Sequence, residues 1–371
     1  MKVEIITRHS VPNYGSLLQS YATQRTLEKM GYDAEIINYT KYEERYNNLA
    51  NTLLQGKKWN NSFLLRNIYK AIQTPNYAKM YKIFEKYRKG FLKETEFEYG
   101  NSEELQKNIP NGDVYCSGSD QIWGKIGTES FDENYFLEFA KGRKCISYAS
   151  SFGKTELTNE LREKLPELLK KYSKVLVRED SAKQILKALK INNVSQVLDP
   201  TLLILKEEWL ELSRKSKVDL KNKKYILIYQ LHDNKEFNNF AKKFAKEKNM
   251  KLLRISTSFF HITRSGKLIY LPNQFDFLNY FNNAEYILTD SFHATVFSII
   301  FNKKFLDIMP KNNTGTRIMS ILKLFNIPNR ILDKYDNYGK IDEKIDYEDV
   351  NRRIIVEREK SIKLFNDAII S

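Results

Sequence analysis

The feature that most constrains this chain is an alternation, kept up over most of its length, of short apolar runs and amphipathic helical stretches joined by polar loops. Val3 to Thr7 reads as a strand. In the stretch 15–30, Leu17, Leu18, Tyr21, Ala22, Leu27 and Met30 fall near one helical face, and Gly31 follows as a stop signal. Ala34 to Asn38 is the next strand, and a unit of this size suits a right-handed parallel crossover. The same rhythm places strands at 113–117, 144–149 and 174–178, with helices at 157–171 and 180–190, and VLDPT at 197–201 closes this half. A second half repeats it, with strands near 225–231, 251–255, 285–289 and 304–308 and helices near 235–247, 274–282, 291–301 and 315–325. Residues 349–369 read as a charged amphipathic helix.

Two successive halves of this kind predict an α/β chain of two Rossmann-like domains facing a cleft. A single core stops growing near about 250–300 residues, so 371 residues also favour two domains. The expected division is a first domain over 1–203, a second over 204–345, and a C-terminal helix over 346–371 that packs back on the first. Residues 41–100 break the rhythm. They are rich in Tyr, Phe, Lys and Arg and read as helices inserted into the first domain. This insert is either a docking surface for an anionic or lipid-linked ligand or an ordinary helical insertion with a solvated basic face.

Composition narrows the function classes. With 42% hydrophobic residues and 13% aromatics the chain can bury folded cores. Cys116 and Cys145 are too few for a disulfide scaffold and have no metal-ligand spacing, which fits a reducing compartment. MKVEIITRHS reads as a strand rather than as the apolar core of a leader, and no apolar run is long enough to span a bilayer, so a cytoplasmic location is expected. The net charge of +15 favours anionic partners without choosing among them. No Walker A loop, G-x-G-x-x-G after a strand, His/Cys metal cluster or G-x-S-x-G elbow occurs. Nucleotide hydrolysis, dinucleotide chemistry, zinc chemistry and α/β-hydrolase chemistry lose ground accordingly.

Ligands of parallel α/β sheets bind outside the carboxyl ends of the strands, so polar residues between a strand and the next helix are the candidates. In RHSVPNYGS (8–16), Gly15 and Ser16 lie where a helix begins, and Asn13 or Ser16 could cap it, leaving N–H groups that attract anions. In CSGSDQIW (116–123), Gly118 permits close backbone approach, while Ser119, Asp120 and Gln121 suit sugar hydroxyls or a phosphate. Arg178 ends a strand beside Glu179 and Asp180. It can hold a carboxylate or phosphate with two parallel bonds, or form an internal ion pair. The sharpest segment is YILTDSFHATVFSIIF (286–301), in which Asp290, Ser291 and His293 stand at the entry to a very apolar helix. His9 and His232 also follow strands but lack such a setting, and His261 is assigned nothing.

Taken together, these segments resemble a known family. NYGSLLQSYATQRTLEKMGYDAEIINY resembles the N-terminal motif of the polysaccharide pyruvyl transferases. So do GSDQIW, SYASSFG, VREDSAKQIL, VLDPTLL and TDSFHATVFSIIF, in that order, and GTRIMSILKLFNIPNRIL also fits; the blocks span residues 3 to 333. The resemblance implies a GT-B-like fold with the active site between the domains. It also implies phosphoenolpyruvate as donor substrate with no other cofactor, and a cyclic ketal on two sugar hydroxyls as product. Partners would be a cell-surface glycan or lipid-linked sugar acceptor, with peripheral contact at the inner membrane face in the lipid-linked case. No nucleic acid and no metal are implied.

By the same resemblance His293 matches the catalytic histidine, a general acid for the donor's methylene carbon, with Asp290 beside it. Arg178 matches an arginine that holds the donor's anionic groups. Some members carry an arginine two residues before the histidine, where this chain has Ser291. Arg317 or Arg8 is the expected replacement. Asn13, Gly15, Ser16, Ser119, Asp120 and Gln121 would line the acceptor side. The same scaffold also admits a glycosyltransferase using a nucleotide sugar, or a non-catalytic envelope-assembly protein.

Overall fold

The computed structural model describes residues 1–55, 58–124, 131–309 and 315–371, with 58 and 59 by backbone alone. The chain forms two compact units, Met1–Leu203 with Lys360–Ser371, and Ile204–Glu359. The first unit is built on six parallel strands: β1 (Lys2–Ile6), β2 (Asp33–Ile36), β3 (Val114–Ser117), β4 (Lys144–Ser150), β5 (Tyr172–Val177) and β6 (Val194–Gln196). Their order is β2-β1-β3-β4-β5-β6. Its helices are α1 (Tyr14–Lys29), α2 (Tyr46–Leu54), α3 (Phe63–Lys89), α4 (Ser102–Lys107), α5 (Asn159–Leu169) and α6 (Asp180–Ala188). The second unit holds α7 (Lys206–Arg214), β7 (Tyr225–Tyr229), α8 (Lys235–Glu247), β8 (Lys251–Ser256), β9 (Lys267–Tyr270), α9 (Gln274–Asn283), β10 (Tyr286–Thr289), α10 (Phe292–Ile300), β11 (Lys304–Asp307) and α11 (Thr316–Leu324). Its parallel sheet runs β11-β10-β7-β8-β9.

The strands read as near-continuous apolar runs because helices cover both faces of such sheets. All five residues of β7, YILIY, are buried, as are all four of β10, YILT. Each unit packs its own core. In the first, Trp123 stacks on Phe136 at 5.3 Å and meets Tyr172 edge-on at 6.1 Å. In the second, α8 sets Phe237, Phe240, Ala241 and Phe244 on one buried face, and Trp209 of α7 meets Phe297 of α10 at 5.1 Å. Every residue of α10 is buried, as an all-round apolar helix requires.

Four elements exceed the sequence expectation: α4, α7, β6 and β9. The helices of the 41–100 insert end at Lys89. Beyond Gly90 the chain turns back alongside β2, with single bridges Ile36↔Glu94 and Tyr39↔Tyr99, and covers that edge of the sheet. A last helix, α12 (Tyr347–Ile370), begins in the second unit, and its final residues belong to the first. There Phe365 stacks on Tyr148 at 4.0 Å. Ser361 Oγ accepts from the Leu198 amide at 3.0 Å. Asn366 takes the Tyr32 hydroxyl at 2.7 Å, and the Ile369 carbonyl takes Lys144 Nζ at 2.5 Å.

Candidate active site

In each sheet one pair of neighbouring strands is left by connections that run in opposite directions, β1/β3 in the first and β7/β10 in the second. Crevices form outside the carboxyl ends of such pairs. The sequence-derived candidates fall at both.

At β1/β3, Asn13 is the N-cap of α1, its Oδ1 accepting from the Gly15 amide at 2.8 Å. Gly15 and Ser16 are buried in the first turn, and Ser16 Oγ donates to Asp120 Oδ2 at 2.6 Å. Asp120 has φ of +80°, a left-handed conformation that Asp tolerates better than most residues. Its carbonyl accepts from Ser151 at 3.1 Å, and its Oδ1 accepts from the Gln121 amide at 2.8 Å, which fixes the carboxylate toward α1. Ser119, following the tightly packed Gly118, is fully buried, and its hydroxyl lies 3.4 Å from Asp199 Oδ2.

Arg178 sits among carboxylates. Nη1 donates to Asp199 Oδ2 at 2.8 Å, Nη2 is 3.6 Å from Asp120 and Nε is 3.8 Å from Glu179. Burial opposes its charge, but Asp199, Asp120 and Glu179 together outweigh that, and the guanidinium is held more firmly charged than usual. Asp199 is itself fixed, Oδ1 accepting from the Thr201 amide at 3.0 Å and hydroxyl at 2.6 Å. Arg8 pairs with Glu44 in the turn that precedes α2. Of the three arginines expected to clamp a donor, Arg178 and Arg8 therefore already meet internal carboxylates, and the first unit's crevice presents hydroxyls and negative charge. His9 is also internal. Burial, then the charge of Arg88, pushes it down to about 3. One Glu94 oxygen lies 3.4 Å from its Nε2 and 2.9 Å from Arg88 Nε.

At β7/β10 the geometry differs. Register pairs Thr289 with Tyr229, so Asp290 emerges level with the loop after β7. Its Oδ1 accepts from the Leu231 amide at 2.7 Å and its Oδ2 from the His232 amide at 2.9 Å. The His232 ring follows, Nδ1 lying 3.2 Å from Oδ2, with the side chain 38% exposed. Ser291 caps α10 with its main chain: its amide donates to Thr289 Oγ1 at 3.0 Å and its carbonyl accepts from Thr295 Oγ1 at 3.1 Å. His293, the second residue of α10, is 6% exposed, and its ring meets Phe292 edge-on at 5.2 Å. The Arg317 guanidinium lies over the other partner of that pair, 5.7 Å from the Phe292 ring centre. His293, Phe292 and Arg317 thus form one cluster at a helix N-terminus, where the macrodipole favours negative charge.

Of three further residues here, the sequence reading ranked His232 low and did not name Arg254 or Asp307. His232 became a partner of Asp290 only through strand pairing. Arg254, 1% exposed in β8, donates to Gln230 Oε1 at 2.7 Å, Asn238 Oδ1 at 2.6 Å and the Ser265 carbonyl at 2.9 Å. None of these acceptors is a carboxylate, and burial followed by Arg264 lowers it to about 10, still charged at neutral pH. Asp307 ends β11 fully buried, with Oδ1 accepting from Thr295 at 2.6 Å. Burial pushes its carboxyl well above the usual range, and Asp290 adds to the effect. Among the described residues no group of His, Cys, Asp and Glu is placed to hold a metal ion. None of their helices is long and apolar enough to cross a membrane.

Two parallel α/β units with polar clusters at the carboxyl ends of their strands have the GT-B type of fold found in sugar-processing enzymes. Solved structures agree on the fold. A putative UDP-N-acetylglucosamine 2-epimerase from Listeria monocytogenes has TM-score 0.55 and 11% identity, covering 95% of this chain and 91% of that one. S. aureus MnaA with UDP has TM-score 0.54 and 13% identity, over 95% and 90%. The UDP-GlcNAc 2-epimerase of Methanocaldococcus jannaschii has TM-score 0.52 and 17% identity, over 95% and 93%. No curated protein matches the sequence. The family model described as polysaccharide pyruvyl transferase matches residues 13–309, and the chain belongs to that family.

Proposed function

We propose that the protein transfers a pyruvyl group from phosphoenolpyruvate to two hydroxyls of one sugar, forming a cyclic ketal and inorganic phosphate. Family membership carries this reading. The cluster at the start of α10 supports it. In the reaction the donor's methylene carbon takes a proton and becomes a methyl group. A sugar hydroxyl adds to the neighbouring carbon, the C–O bond to phosphate breaks, and the second hydroxyl closes the ring as both hydroxyl protons are released.

His293 is the proton donor in this scheme. Arg317, over Phe292, is the cation for the donor's carboxylate or phosphate in place of an arginine at Ser291. Arg254, hydrogen-bonded only to neutral acceptors and offset at range by Asp290, adds a positive charge beside the same crevice. Asp290 shapes the loop carrying His232, and His232 is the candidate base for a sugar hydroxyl. The hydroxyls and carboxylates of Ser16, Ser119 and Asp120 suit an acceptor better than a phosphorylated donor, since negative charge there repels phosphate.

The test is incubation with phosphoenolpyruvate and a panel of lipid-linked and aryl-tagged sugars, followed by mass spectrometry. A pyruvyl ketal adds about 70 Da with stoichiometric phosphate release. His293→Ala should abolish it, and Arg317→Ala should raise the donor KM by one to two orders of magnitude, the worth of a charge-assisted contact. Phosphate release unchanged in His293→Ala would refute the assignment of the acid. Nucleotide-sugar transfer is the second reading, favoured by fold neighbours solved with UDP or UDP-GlcNAc. Thermal stabilisation by UDP but not by phosphoenolpyruvate would move the conclusion there.

A further inference from the structure

The insert carries a surface that the chemistry above does not use. α3 runs 27 residues from Phe63 to Lys89 and buries little of itself: only Met80, Phe84 and Arg88 are buried. Its N-terminal half exposes large apolar side chains: Phe63 by 74%, Leu64 by 68%, Ile72 by 52%, Ile68 by 42% and Leu65 by 40%. Singly exposed apolar residues are ordinary, but five within ten positions form a contiguous patch. At about 100° per residue, Leu64, Ile68 and Ile72 fall within about 80° of arc, and beyond Pro75 the exposed Lys79, Lys82 and Lys86 fall within about 60° of arc. The exposed face is therefore apolar over its first turns and lysine-rich over its last. The whole helix carries seven basic residues against one acidic residue, Glu85, which pairs with Lys89 at 2.6 Å.

The polarity along the helix identifies the occupant. Aliphatic side chains in a row have no use for nucleobases, which bind through stacking on aromatic rings. A second copy of the chain would set lysines against lysines wherever the helices met in parallel. A bilayer with anionic headgroups satisfies both halves: the apolar turns enter the acyl boundary and the lysines lie among the headgroups. Ser62 caps the helix, its Oγ accepting from Leu65, so the apolar turn is structured up to its tip.

We propose that the exposed face of α3 docks the protein peripherally on an anionic membrane surface. This rests on the exposed residues and their charge, and stands or falls separately from the transfer reaction. The experiment is co-sedimentation of the full chain with phosphatidylcholine vesicles containing 0 or 30% phosphatidylglycerol, in low and high salt. The wild type should bind the anionic vesicles and release in high salt. Ile68→Glu with Ile72→Glu should lower the bound fraction at least tenfold, as should Lys79→Glu with Lys82→Glu and Lys86→Glu. All five side chains are exposed, so unchanged circular dichroism melting is expected to confirm that these variants fold. Equal binding of the variants and the wild type would overturn the proposal. So would equal binding to neutral vesicles, or a wild-type dimer that the isoleucine variants turn into monomers without any vesicle binding.

Discussion

Replacing Arg178 by Met separates two roles that a strand-end arginine can play. If its charge is used internally, removal leaves Asp120, Glu179 and Asp199 facing one another where Arg178 is 4% exposed and Asp199 1%. Removing one partner of a buried ion pair costs about 3–5 kcal/mol, because the remaining charge is left uncompensated. Three carboxylates within 3.8 Å of the lost guanidinium put this variant at the upper end. For a unit of this size about 1 kcal/mol shifts the melting temperature by roughly 2–4 °C, so a fall of about 10–20 °C is expected. Arg178→Lys keeps the charge but not the fork, and should fall in between. The double variant Arg178→Met with Asp199→Asn should melt higher than Arg178→Met alone, since it deletes one of the stranded charges. Thermal unfolding by circular dichroism reads all three, with phosphoenolpyruvate KM measured below the melting range. A melting temperature within about 2 °C of wild type, together with a donor KM raised tenfold or more, would refute the reasoning and return Arg178 to the donor clamp.

Two further perturbations follow from the site and from the core. Asp290→Ala removes the acceptor of two amides and should speed hydrogen exchange at Leu231 and His232 by at least an order of magnitude, read by exchange mass spectrometry, while Asp290→Asn should keep one of the two protected. His9 titrates near 6.5 when unfolded but is pushed down to about 3 when folded, so the unfolded chain binds the extra proton between those values. Its contribution is complete above pH 6.5 and lost as pH falls toward 3, about 2 kcal/mol by pH 5. His9→Gln should therefore lose less stability than wild type between pH 7 and 5 in urea titrations.

The two-sheet organisation was legible because parallel strands buried on both faces leave unbroken apolar runs such as YILIY and YILT, with helices of a different period between them. What escaped was short or sparsely apolar. β6 is VSQ and β9 is KLIY, both at sheet edges, and α7 marks its buried face with little more than Trp209 and Leu212. The places of the candidate residues at strand ends were legible, since the rule about strand ends needs only the strands. Their partners were not, because pairing joins residues far apart in sequence: Arg8 to Glu44, Ser119 to Asp199, His232 to Asp290. His232 looked unremarkable in its own loop and acquired a carboxylate only when β7 paired with β10. The converse holds for Arg178, where DP in VLDPT hid the carboxylate that claims its charge.

The last turns of α12 have a consequence for how the protein is made. The first unit is finished by Ser361, Phe365, Asn366 and Ile369, which reach the ribosome exit only after the whole of the second unit. At roughly 5–20 residues per second, the intervening stretch of about 150 residues keeps the nascent first unit waiting for about 8–30 s. During that interval one face of Tyr148 and the donors at Tyr32, Lys144 and Leu198 lack their final partners. Translation speed across the second unit thus sets how long an unfinished surface is offered to chaperones, proteases and neighbouring nascent chains.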